Sequence, residues 1–479
     1  MPIEVDVAVL GGGPGGYTAA VRAAQAGRSV AIIEQDKLGG TCLHRGCIPS
    51  KSLLRSAEVY AEIGQAASYG IRLPDGAPEV DWSQVTRRKD DIVEQLHKGV
   101  QALMKMNKIQ VVHGNGRIIG PSIFSPRSGA VAVQLANDES DTVVPRHLII
   151  ATGSRPRKLE GLPYDGKRVV TSDEALAWTT RPASIVIVGG GVIGVEWASM
   201  LADFGTAVTL VEAADRLVPG EDRDVSAELA KQLQKRGVKL WLGAKLDAAS
   251  CEAGDVGVGV TVEAGGRTER LAAERMLVSV GRQGNVETLG LENTDVKTSG
   301  GFVSVNPATL QTSEPHIYAI GDVIGGVQLA HAAMHEAHVA VDHLLGRPQP
   351  RAADRDIPRA IYSRPEAASI GWTEEAAKAN GYAVRTAKVP LRVLGKALVR
   401  GEADGFAKAV ADAATGDLLG VHLIGAHATE LIAEASLAKL LDAVPWEIGR
   451  AIHPHPTLSE AMQEVMQAVE GAAAHGSQG

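Results

Sequence analysis

Two stretches of the chain share one order of apolar, glycine-rich and helical segments. The first, VDVAVLGGGPGGYTAAVRAAQAGRSVAIIE, begins with an apolar run over residues 5–10 that predicts a buried strand. After a glycine turn, an alanine-rich segment over residues 15–26 predicts a helix that ends before Gly27. The run SVAIIE then predicts a second strand that closes on Glu34. The glycines of the turn are Gly11, Gly13 and Gly16.

The second stretch, SIVIVGGGVIGVEWASMLADFGTAVTLVE, repeats this order. Its helix ends before Gly205 and its second strand closes on Glu212, and each acid lies eighteen positions after the last glycine of its turn. The glycines of this turn are Gly189, Gly191 and Gly194. A strand, a G-x-G-x-x-G turn, a helix, a strand and an acid form the dinucleotide-binding fingerprint, so the chain is predicted to bind two dinucleotides.

The chemistry of these units follows from their residue types. Glycines let the backbone approach a pyrophosphate, and the helix N-terminus offers N–H groups and a partial positive charge. A carboxylate after the second strand accepts hydrogen bonds from a ribose diol and repels a 2′-phosphate. Glu212 therefore favours NAD over NADP in the second unit, and Arg216, the nearest cation, works against that preference.

Three further apolar runs predict strands that are each followed by a glycine. They are HLIIATGSRP, RMLVSVGRQGN and HIYAIGDVIGG, and the last leads into a predicted helix. A proline- and charge-rich segment, GRPQPRAADRDIP, marks a boundary, after which strand-like runs such as GFAKAVAD and LLGVHLIGA alternate with two helical stretches. The predicted fold class is α/β, with two Rossmann-like dinucleotide-binding domains and an α+β C-terminal domain.

Length, net charge and cysteine content argue against several classes of protein. The length of 479 residues suggests about three domains. The net charge of −8 argues against a nucleic-acid or membrane-surface binder, and no uncharged apolar run is long enough to predict a membrane span. The N-terminal segment lacks the features of a secretion signal, and three cysteines cannot form a disulfide framework, so the cytosol is the expected compartment.

Two of the three cysteines, Cys42 and Cys47, lie close together in GGTCLHRGCIPSK. A zinc site, two unrelated buried thiols or a redox-active disulfide would each explain the pair. In a regular helix residues five apart have Cα atoms about 8.6 Å apart, whereas a disulfide needs about 4.4–6.8 Å. The pair is therefore bridgeable only in a loop or a bent helix start, which Gly46 and Pro49 favour.

Thiol chemistry also needs a base that titrates near neutral pH. The motif HPHPTLSE supplies His453 and His455, with Glu460 five positions after the second histidine. A carboxylate on one imidazole nitrogen would orient the ring and raise its basicity. His455 and Glu460 are thus a candidate base and its orienting group, although a solvated loop would also contain such residues.

Together these motifs, with ATGSRP and YAIGD, resemble the flavin-dependent pyridine nucleotide–disulfide oxidoreductases over nearly the whole chain. The resemblance implies four segments: the first part of an FAD-binding domain over residues 1–150, an NAD-binding domain over 151–272, an FAD-binding return segment over 273–347, and an interface or dimerisation domain over 348–479. It also implies a homodimer in which the base of one subunit completes the disulfide site of the other.

The resemblance further implies a role for each matching residue. Cys47 would contact the flavin, Cys42 would exchange with substrate, and His455 and Glu460 would serve as acid/base and its support. Lys51 would lie near the flavin and pair with Glu196. The remaining residues implied to bind FAD are Gly11, Gly13, Gly16, Glu34, Gly116, Thr152, Gly153, Ser154, Asp322, Gln328, Leu329, Ala330 and His331. Those implied to bind NAD are Gly189, Gly191, Gly194, Glu212 and Gly281.

The activity that the resemblance implies is FAD-dependent oxidation of protein-bound dihydrolipoamide to lipoamide through a Cys42–Cys47 disulfide, with hydride transfer to NAD⁺. The partner would be the lipoyl-bearing acyltransferase of a 2-oxo acid dehydrogenase complex, or the lipoyl carrier of glycine cleavage. Alternatives are a glutathione- or mercuric-reductase-like enzyme and a non-enzymatic flavoprotein scaffold. Glu212 argues against the NADPH-dependent relatives, and the intact cysteine and histidine motifs argue against the scaffold.

Three positions depart from the pattern expected of this family. His44 and Arg45 lie inside the cysteine loop, where they would either lower the pKa of a thiol or face solvent. Arg364 occupies a position where histidine is frequent. No metal site is expected, and Cys251 has no assigned role.

Overall fold

A computed structural model describes residues 2–73, 78–121, 127–135 and 139–472. The chain divides into two compact units, each built from segments that are distant in sequence. The first unit comprises residues 1–52, 83–157 and 281–352, and the second comprises residues 53–82, 158–280 and 353–479.

The first unit is organised around a seven-stranded sheet. Its strands are β1 (Ile3–Leu10), β2 (Val30–Glu34), β3 (Gln110–His113), β4 (Asn115–Ile119), β5 (Ala130–Gln134), β6 (Ser140–Ile150) and β19 (Ile317–Ala319). The order β3-β2-β1-β6-β19 is parallel, and β5 and β4 extend it antiparallel from the start of β6. Strand β2 and the second half of β1 are buried on both faces, which explains their continuous apolar runs.

Helices cover this sheet and two short ribbons complete the unit. The helices are α1 (Pro14–Gln25), α2 (Gly40–Arg45), α3 (Cys47–Gly64, which continues beyond Ser52), α4 (Trp82–Met106) and α8 (Ala330–Leu344). The ribbons pair β7 (Ser154–Pro156) with β16 (Arg282–Gly284) and β17 (Thr298–Ser299) with β18 (Phe302–Val303). Helix α1 packs on α8 through small side chains, and Ala19, Ala20 and Ala23 are fully buried.

The second unit contains a parallel five-stranded sheet of order β11-β10-β9-β15-β8 and a separate antiparallel three-stranded sheet. The parallel strands are β8 (Val169–Thr171), β9 (Ser184–Val188), β10 (Ala207–Val211), β11 (Lys239–Trp241) and β15 (Arg275–Val278). The antiparallel strands are β12 (Lys245–Gly254), β13 (Gly257–Ala264) and β14 (Arg267–Ala273). The helices of this part are α5 (Ser172–Ala175), α6 (Val192–Asp203) and α7 (Arg223–Lys235).

The C-terminal part of the second unit is an antiparallel sheet of order β20-β21-β24-β23-β22 covered by helices. Its strands are β20 (Arg359–Ile361), β21 (Ala367–Gly371), β22 (Val384–Pro390), β23 (Phe406–Asp412) and β24 (Leu418–Ile424). Its helices are α9 (Glu374–Ala379), α10 (Gly395–Arg400), α11 (Ala428–Leu440), α12 (Pro445–Arg450) and α13 (Glu460–Val469).

The predicted fold class is confirmed: the chain is α/β, with two Rossmann-like sheets and an α+β C-terminal part. Two details differ from the sequence-based expectation. Strand β10 ends at Val211, so Glu212 follows the strand rather than ending it. The C-terminal part has five described helices rather than two, because three of them are only six residues long and too short to show a helical period. The predicted domain boundaries stay predictions. None of the described helices is long and apolar enough to cross a membrane.

Candidate active site

The glycine turn after β1 brings the N-terminus of α1 against the end of the sheet. Gly11 has φ +109°, and a Cβ there would collide with the carbonyl of Ala151. A Cβ on Gly16 would collide with the carbonyl of Gly11, while one on Gly13 would meet only open space. Packing therefore explains the first and third glycines, and the open surface at Gly13 leaves room for a ligand at the helix N-terminus.

The second turn has the same geometry. Gly189 has φ +105° and lies against the carbonyl of Ser279, and a Cβ on Gly194 would collide with the carbonyl of Gly189. A Cβ on Gly191 would again meet open space. Both predicted turns thus have the form that a pyrophosphate requires, and the assignment of one to FAD and the other to NAD stays a prediction.

The two acids are held identically in their units. Glu34 accepts hydrogen bonds from the N–H groups of Gly12 at 2.7 Å and Asp36 at 2.8 Å. Glu212 accepts hydrogen bonds from the N–H groups of Gly190 at 2.5 Å and Ala214 at 2.6 Å. Each carboxylate is thereby fixed beside its glycine turn, where a ribose diol would lie.

The cysteine segment is docked on the first glycine turn. The N–H of Gly39 donates to the carbonyl of Gly12 at 2.8 Å. Gly39 has φ +109° and Gly40 has φ +57°, and a Cβ on Gly40 would lie 2.7 Å from the Cα of Gly13. The glycine pair before the cysteines is therefore required by both backbone conformation and close approach. Helix α2 starts at this contact.

The two cysteines lie on separate helices. Cys42 belongs to α2 and Cys47 is the first residue of α3, and Gly46 between them leaves the helical region with φ −152° and ψ −113°. The two cysteines are not joined by a disulfide in this structure, and the Cys42 side chain forms a hydrogen bond with Cys47. The bend at Gly46 brings together sulfurs that a regular helix would keep apart.

The surroundings of the pair control its protonation. The hydrogen bond with Cys47 raises the pKa of the Cys42 thiol, burial adds to this, and the positive charge of Lys51 opposes it. His44 and Arg45 are engaged elsewhere. The Nε2 of His44 lies 2.9 Å from the Leu38 carbonyl and burial lowers the pKa of this ring, while Arg45 pairs with an aspartate at 3.2 Å. Lys51, rather than these two residues, is the cation that acts on Cys42.

Tyr17 is a residue of this site that the sequence reasoning missed. It lies in the first turn of α1, and burial raises its pKa, as do the nearby sulfurs of Cys42 and Cys47. The only local signal was its position directly after Gly16. Nothing in the sequence spacing brings it to the cysteines, because that contact depends on the docking of α2.

A second group of predicted flavin ligands surrounds Asp322. Ser154 donates to the Asp322 carboxylate at 2.5 Å. The turn before Ser154 is closed by Asn285, whose side-chain amide donates to the Thr152 carbonyl at 2.9 Å and whose N–H donates to the Gly153 carbonyl at 3.0 Å. Sequence reasoning missed Asn285, since it is 133 residues from Thr152. The structure thus brings residues from two distant segments into one polar cluster.

Two further observations in the first unit fit a large polar cofactor. The side-chain Nε2 of Gln328 is buried and has no hydrogen-bond partner among the described residues, and its backbone has φ +51°. Gly153, at φ +68°, faces open space. The orphaned amide and the start of α8, over residues 329–331, offer donors for the polar edge of a flavin. The residues present therefore fit FAD.

Two glycines predicted to bind a cofactor, Gly116 and Gly281, lie outside the two glycine turns. A Cβ on Gly116 would press on the core side chains of Leu10, Ile33 and Val131, so packing already accounts for this glycine. Gly281 has φ +107°, belongs to the first unit, and its carbonyl accepts from Arg157 at 3.0 Å. Their contacts with cofactors stay predictions.

The candidate base has the predicted support. His455 Nδ1 lies 2.9 Å from Glu460 Oε1, and the other carboxylate oxygen accepts from the N–H of Thr457 at 2.8 Å. Burial raises the pKa of Glu460, but the hydrogen bonds from His455 and Thr457 outweigh it and hold that pKa below its ordinary value. The His455 side chain is 76% exposed. Its Nε2 is therefore accessible to another molecule.

The neighbouring His453 has a different environment. Its side chain is only 6% exposed, Nε2 lies 2.9 Å from Glu434, and Nδ1 lies 3.0 Å from the Ala451 carbonyl. Both ring nitrogens are occupied. Of the two histidines in the motif, only His455 combines a supporting carboxylate with an open nitrogen.

Some predicted partners belong to different compact units, and their pairing stays a prediction. Lys51 lies in the first unit, whereas Glu196 lies on α6 in the second, where it accepts from the N–H of Tyr362 at 3.0 Å. The cysteine pair and His455 are divided in the same way. Arg364 binds Asp203 through both carboxylate oxygens, at 3.0 and 2.5 Å, so it has a structural role in the second unit.

Within the described part of the chain, no group of three or more histidine, cysteine, aspartate or glutamate residues could hold a metal ion.

A thiol pair docked on a dinucleotide turn, with a second dinucleotide turn in the chain, defines a dinucleotide-dependent disulfide oxidoreductase.

Comparison with protein families agrees with this class. The pyridine nucleotide-disulphide oxidoreductase model matches residues 5–337, and the dimerisation domain of the same family matches residues 357–466. The chain therefore belongs to the pyridine nucleotide-disulphide oxidoreductases. It is an FAD- and NAD-dependent enzyme that carries the dimerisation domain of the family.

Several curated proteins are similar over nearly their full length. A dihydrolipoyl dehydrogenase of Bacillus subtilis is 54% identical over 477 residues, which cover 99% of this chain and 100% of the relative. A dihydrolipoyl dehydrogenase of Zymomonas mobilis is 40% identical, with 99% and 100% coverage.

Solved structures show the same fold. LpdA from Mycobacterium tuberculosis matches with a TM-score of 0.89 at 27% identity, covering 97% of this chain and 99% of that one. The HOCl-induced flavoprotein disulfide reductase RclA from Escherichia coli matches with a TM-score of 0.82 at 27% identity, with 96% and 99% coverage.

Removing Cys47 should make Cys42 more reactive. Cys47 raises the pKa of the Cys42 thiol through a hydrogen bond and through its charge, so Cys47→Ala should lower that pKa and increase the thiolate fraction near pH 8. We expect alkylation of Cys42 by iodoacetamide in the reduced holoprotein to accelerate by about tenfold or more, because one pKa unit corresponds to a tenfold change. Peptide mass spectrometry over a pH series measures this rate. Cys251→Ala is the matched control and should leave it unchanged; equal rates in both variants would contradict the coupling.

Proposed function

We propose that the protein is a dihydrolipoyl dehydrogenase, which oxidises protein-bound dihydrolipoamide to lipoamide and reduces NAD⁺. The observation that carries the proposal is the Cys42–Cys47 pair docked by Gly39 and Gly40 on the first dinucleotide turn. The full-length similarity to dihydrolipoyl dehydrogenases supports the choice of substrate. The lipoyl group would arrive on the acyltransferase of a 2-oxo acid dehydrogenase complex or on the carrier of glycine cleavage, and the reaction would take place in the cytoplasm.

The residues that would hold FAD lie in the first unit. Glu34 would bind the ribose of its ADP half, Gly13 and the N-terminus of α1 would face the pyrophosphate, and Asp322 would bind nearby. In the second unit, Glu212 and the turn at Gly191 would bind NAD. On this proposal the FAD-binding, NAD-binding, returning FAD-binding and dimerisation segments would end or begin at residues 150, 272 and 347. When bound, FAD supplies the transfer of an electron pair between the thiols and the nicotinamide.

The chain's own residues perform the sulfur chemistry. The enzyme begins with a Cys42–Cys47 disulfide. His455 accepts a proton from one thiol of dihydrolipoamide, and the resulting thiolate attacks the Cys42 sulfur and breaks the disulfide. This step joins the substrate to Cys42 in a mixed disulfide and leaves Cys47 as a thiolate. His455 then passes its proton to the departing Cys42 sulfur and accepts the proton of the second substrate thiol. The sulfur of that thiol attacks the substrate sulfur of the mixed disulfide, so that Cys42 is released as a thiol and lipoamide leaves as a cyclic disulfide. Two electrons now reside on the cysteine pair.

The environment of the reduced pair decides where its remaining proton lies. The hydrogen bond and burial that raise the pKa of Cys42 keep the proton on Cys42. Cys47, the first residue of α3, lies where the helix dipole stabilises negative charge. The negative charge is therefore placed on Cys47, which is the cysteine that we assign to the flavin side.

Steady-state assays test this activity directly. The FAD-loaded protein should reduce NAD⁺ with dihydrolipoamide, and the kcat/KM for NADP⁺ should be at least about a hundredfold lower, because a diol-binding carboxylate rejects the 2′-phosphate. Cys47→Ser should reduce turnover by about a thousandfold or more while FAD stays bound, and Cys251→Ser should not. Turnover retained by Cys47→Ser would refute the proposal. Preference for NADPH with glutathione disulfide would favour the reductase alternative, and no turnover with any disulfide or dithiol would favour the scaffold.

The carboxylate behind His455 should be required for proton transfer. Glu460→Gln keeps the size of the side chain but removes the charge that orients and stabilises the imidazole, so we expect kcat to fall by about a hundredfold or more. Glu434→Gln is the matched control, because Glu434 contacts the buried His453 in the same way. It should leave the pH profile of kcat unchanged. Similar kcat values for the two variants would contradict the assignment of Glu460.

The exposure of His455 suggests that it acts on a partner subunit, and mixed dimers can test this. A dimer with Cys47→Ser in one subunit and His455→Gln in the other retains one complete site if the base acts across the interface, and none if it acts within its own subunit. We therefore expect about half of the wild-type kcat from the purified mixed dimer, since one of two sites is intact. Each homodimeric variant should be nearly inactive. A mixed dimer as inactive as both parents would show that the base acts within its own subunit.

A further inference from the structure

The segment after Glu212 closes back on the second glycine turn. Glu212 accepts from the N–H of Gly190 at 2.5 Å, and the N–H of Val218 donates to the Gly190 carbonyl at 2.8 Å. The loop between these two hydrogen bonds therefore flanks the position predicted for the adenosine ribose. Arg216 is the only cation of this loop over residues 213–217. A guanidinium here would be a natural partner for a 2′-phosphate.

One nitrogen of the Arg216 guanidinium is already engaged, and its buried Nε has no hydrogen-bond partner among the described residues. Its Nη2 lies 3.0 Å from the carboxylate of Glu375 and 3.2 Å from the Pro219 carbonyl, and its side chain is 22% exposed. The other carboxylate oxygen of Glu375 accepts from Arg223 at 2.8 Å. Arg216 thus directs its charge to a protein carboxylate rather than to the ribose side of the loop.

The helix that carries Glu375 is anchored by a buried charge network next to it. Glu375 lies in the first turn of α9, which Thr373 caps by accepting from the N–H of Ala376 at 3.1 Å. Its neighbour Glu374 lies 2.8 Å from Lys408, which is buried and also contacts Asp222 at 2.9 Å. Burial opposes the charged form of Lys408, but hydrogen bonds to Glu374, Asp222 and Asp224 outweigh this and raise its pKa, so the network stays charged. The start of α9 is consequently anchored, and the Glu375 side chain, which is 47% exposed, contacts Arg216 and Arg223 from there.

We propose that Glu375 is a specificity-determining residue that favours NAD over NADP by holding Arg216. The effect is indirect, since Glu375 touches Arg216 rather than the cofactor. It adds to the repulsion by Glu212: one carboxylate rejects the 2′-phosphate, and the other withdraws the cation that would attract it. This inference rests on the NAD-linked function proposed above, and it extends that function to a residue 163 positions after Glu212.

A binding measurement tests this inference independently of turnover. The FAD-loaded protein is titrated calorimetrically with 2′,5′-ADP and with 5′-ADP, which differ in the 2′-phosphate. Glu375→Gln should tighten binding of 2′,5′-ADP by about fivefold, the size of a surface charge contact. Binding of 5′-ADP should change by less than about twofold, because Glu375 has no contact with the diol site. The kcat/KM for NADP⁺ should rise by the same factor, and that for NAD⁺ should not.

Two further variants separate this role from a structural one. Glu375→Gln combined with Arg216→Ala should lose the gain in 2′,5′-ADP affinity, because the released cation is gone. Arg223→Ala removes the other partner of Glu375 and leaves the Arg216 contact, so it should not change the affinity ratio of the two ligands. The proposal is overturned if Glu375→Gln leaves that ratio unchanged, or if the gain persists without Arg216. A protein that binds both ligands as expected but shows no dihydrolipoamide turnover would refute the proposed function and not this inference.

Discussion

The contact of Gly39 and Gly40 with Gly12 and Gly13 is the constraint on which the first unit's chemistry depends. It joins the segment that carries the thiols to the turn that faces a pyrophosphate, and it does so through backbone atoms alone. A side chain at Gly40 would separate the two segments, and one at Gly39 would meet Leu43 in α2. Because the contact is made by backbone atoms, no side-chain rotation can change the position of the Cys42 backbone relative to the turn.

The two dinucleotide units show how one geometry can serve two purposes. Their turns and acids are held by equivalent hydrogen bonds, so the difference lies in the segment after each acid. After Glu34 the chain proceeds through Leu38 to the glycine pair and the cysteines. After Glu212 it forms a loop that closes on Gly190 and in which Arg216 contacts Glu375. The first unit thus adds a thiol pair beside its dinucleotide turn, and the second adds a charged loop that, on our proposal, would influence which nucleotide binds.

Local patterns in the sequence predicted the features that depend on neighbouring residues. The strand, turn and helix order placed both glycine turns, and the i, i+5 spacing predicted that the cysteines need a bend, which the structure places at Gly46. Support of His455 by Glu460 was also visible, since the residues are five apart. Contacts between distant segments were not. Tyr17 near the thiols, Asn285 at Thr152 and Glu375 at Arg216 each depend on how sheets and helices pack, which no periodicity encodes.

The cysteine loop shows why residue type alone misjudges electrostatics. From the sequence, His44 and Arg45 are the cations nearest to Cys42, yet the backbone of α2 directs them to Leu38 and Asp36. Lys51, one turn into α3, is the charge that acts on Cys42 instead. The bend at Gly46 produces the second result, because it starts a new helix at Cys47 and so places Lys51 one turn after that residue. The same bend that lets the thiols meet therefore also selects the cation that tunes them, and a change at Gly46 would alter the reactivity of the pair even if both sulfurs stayed within bonding reach.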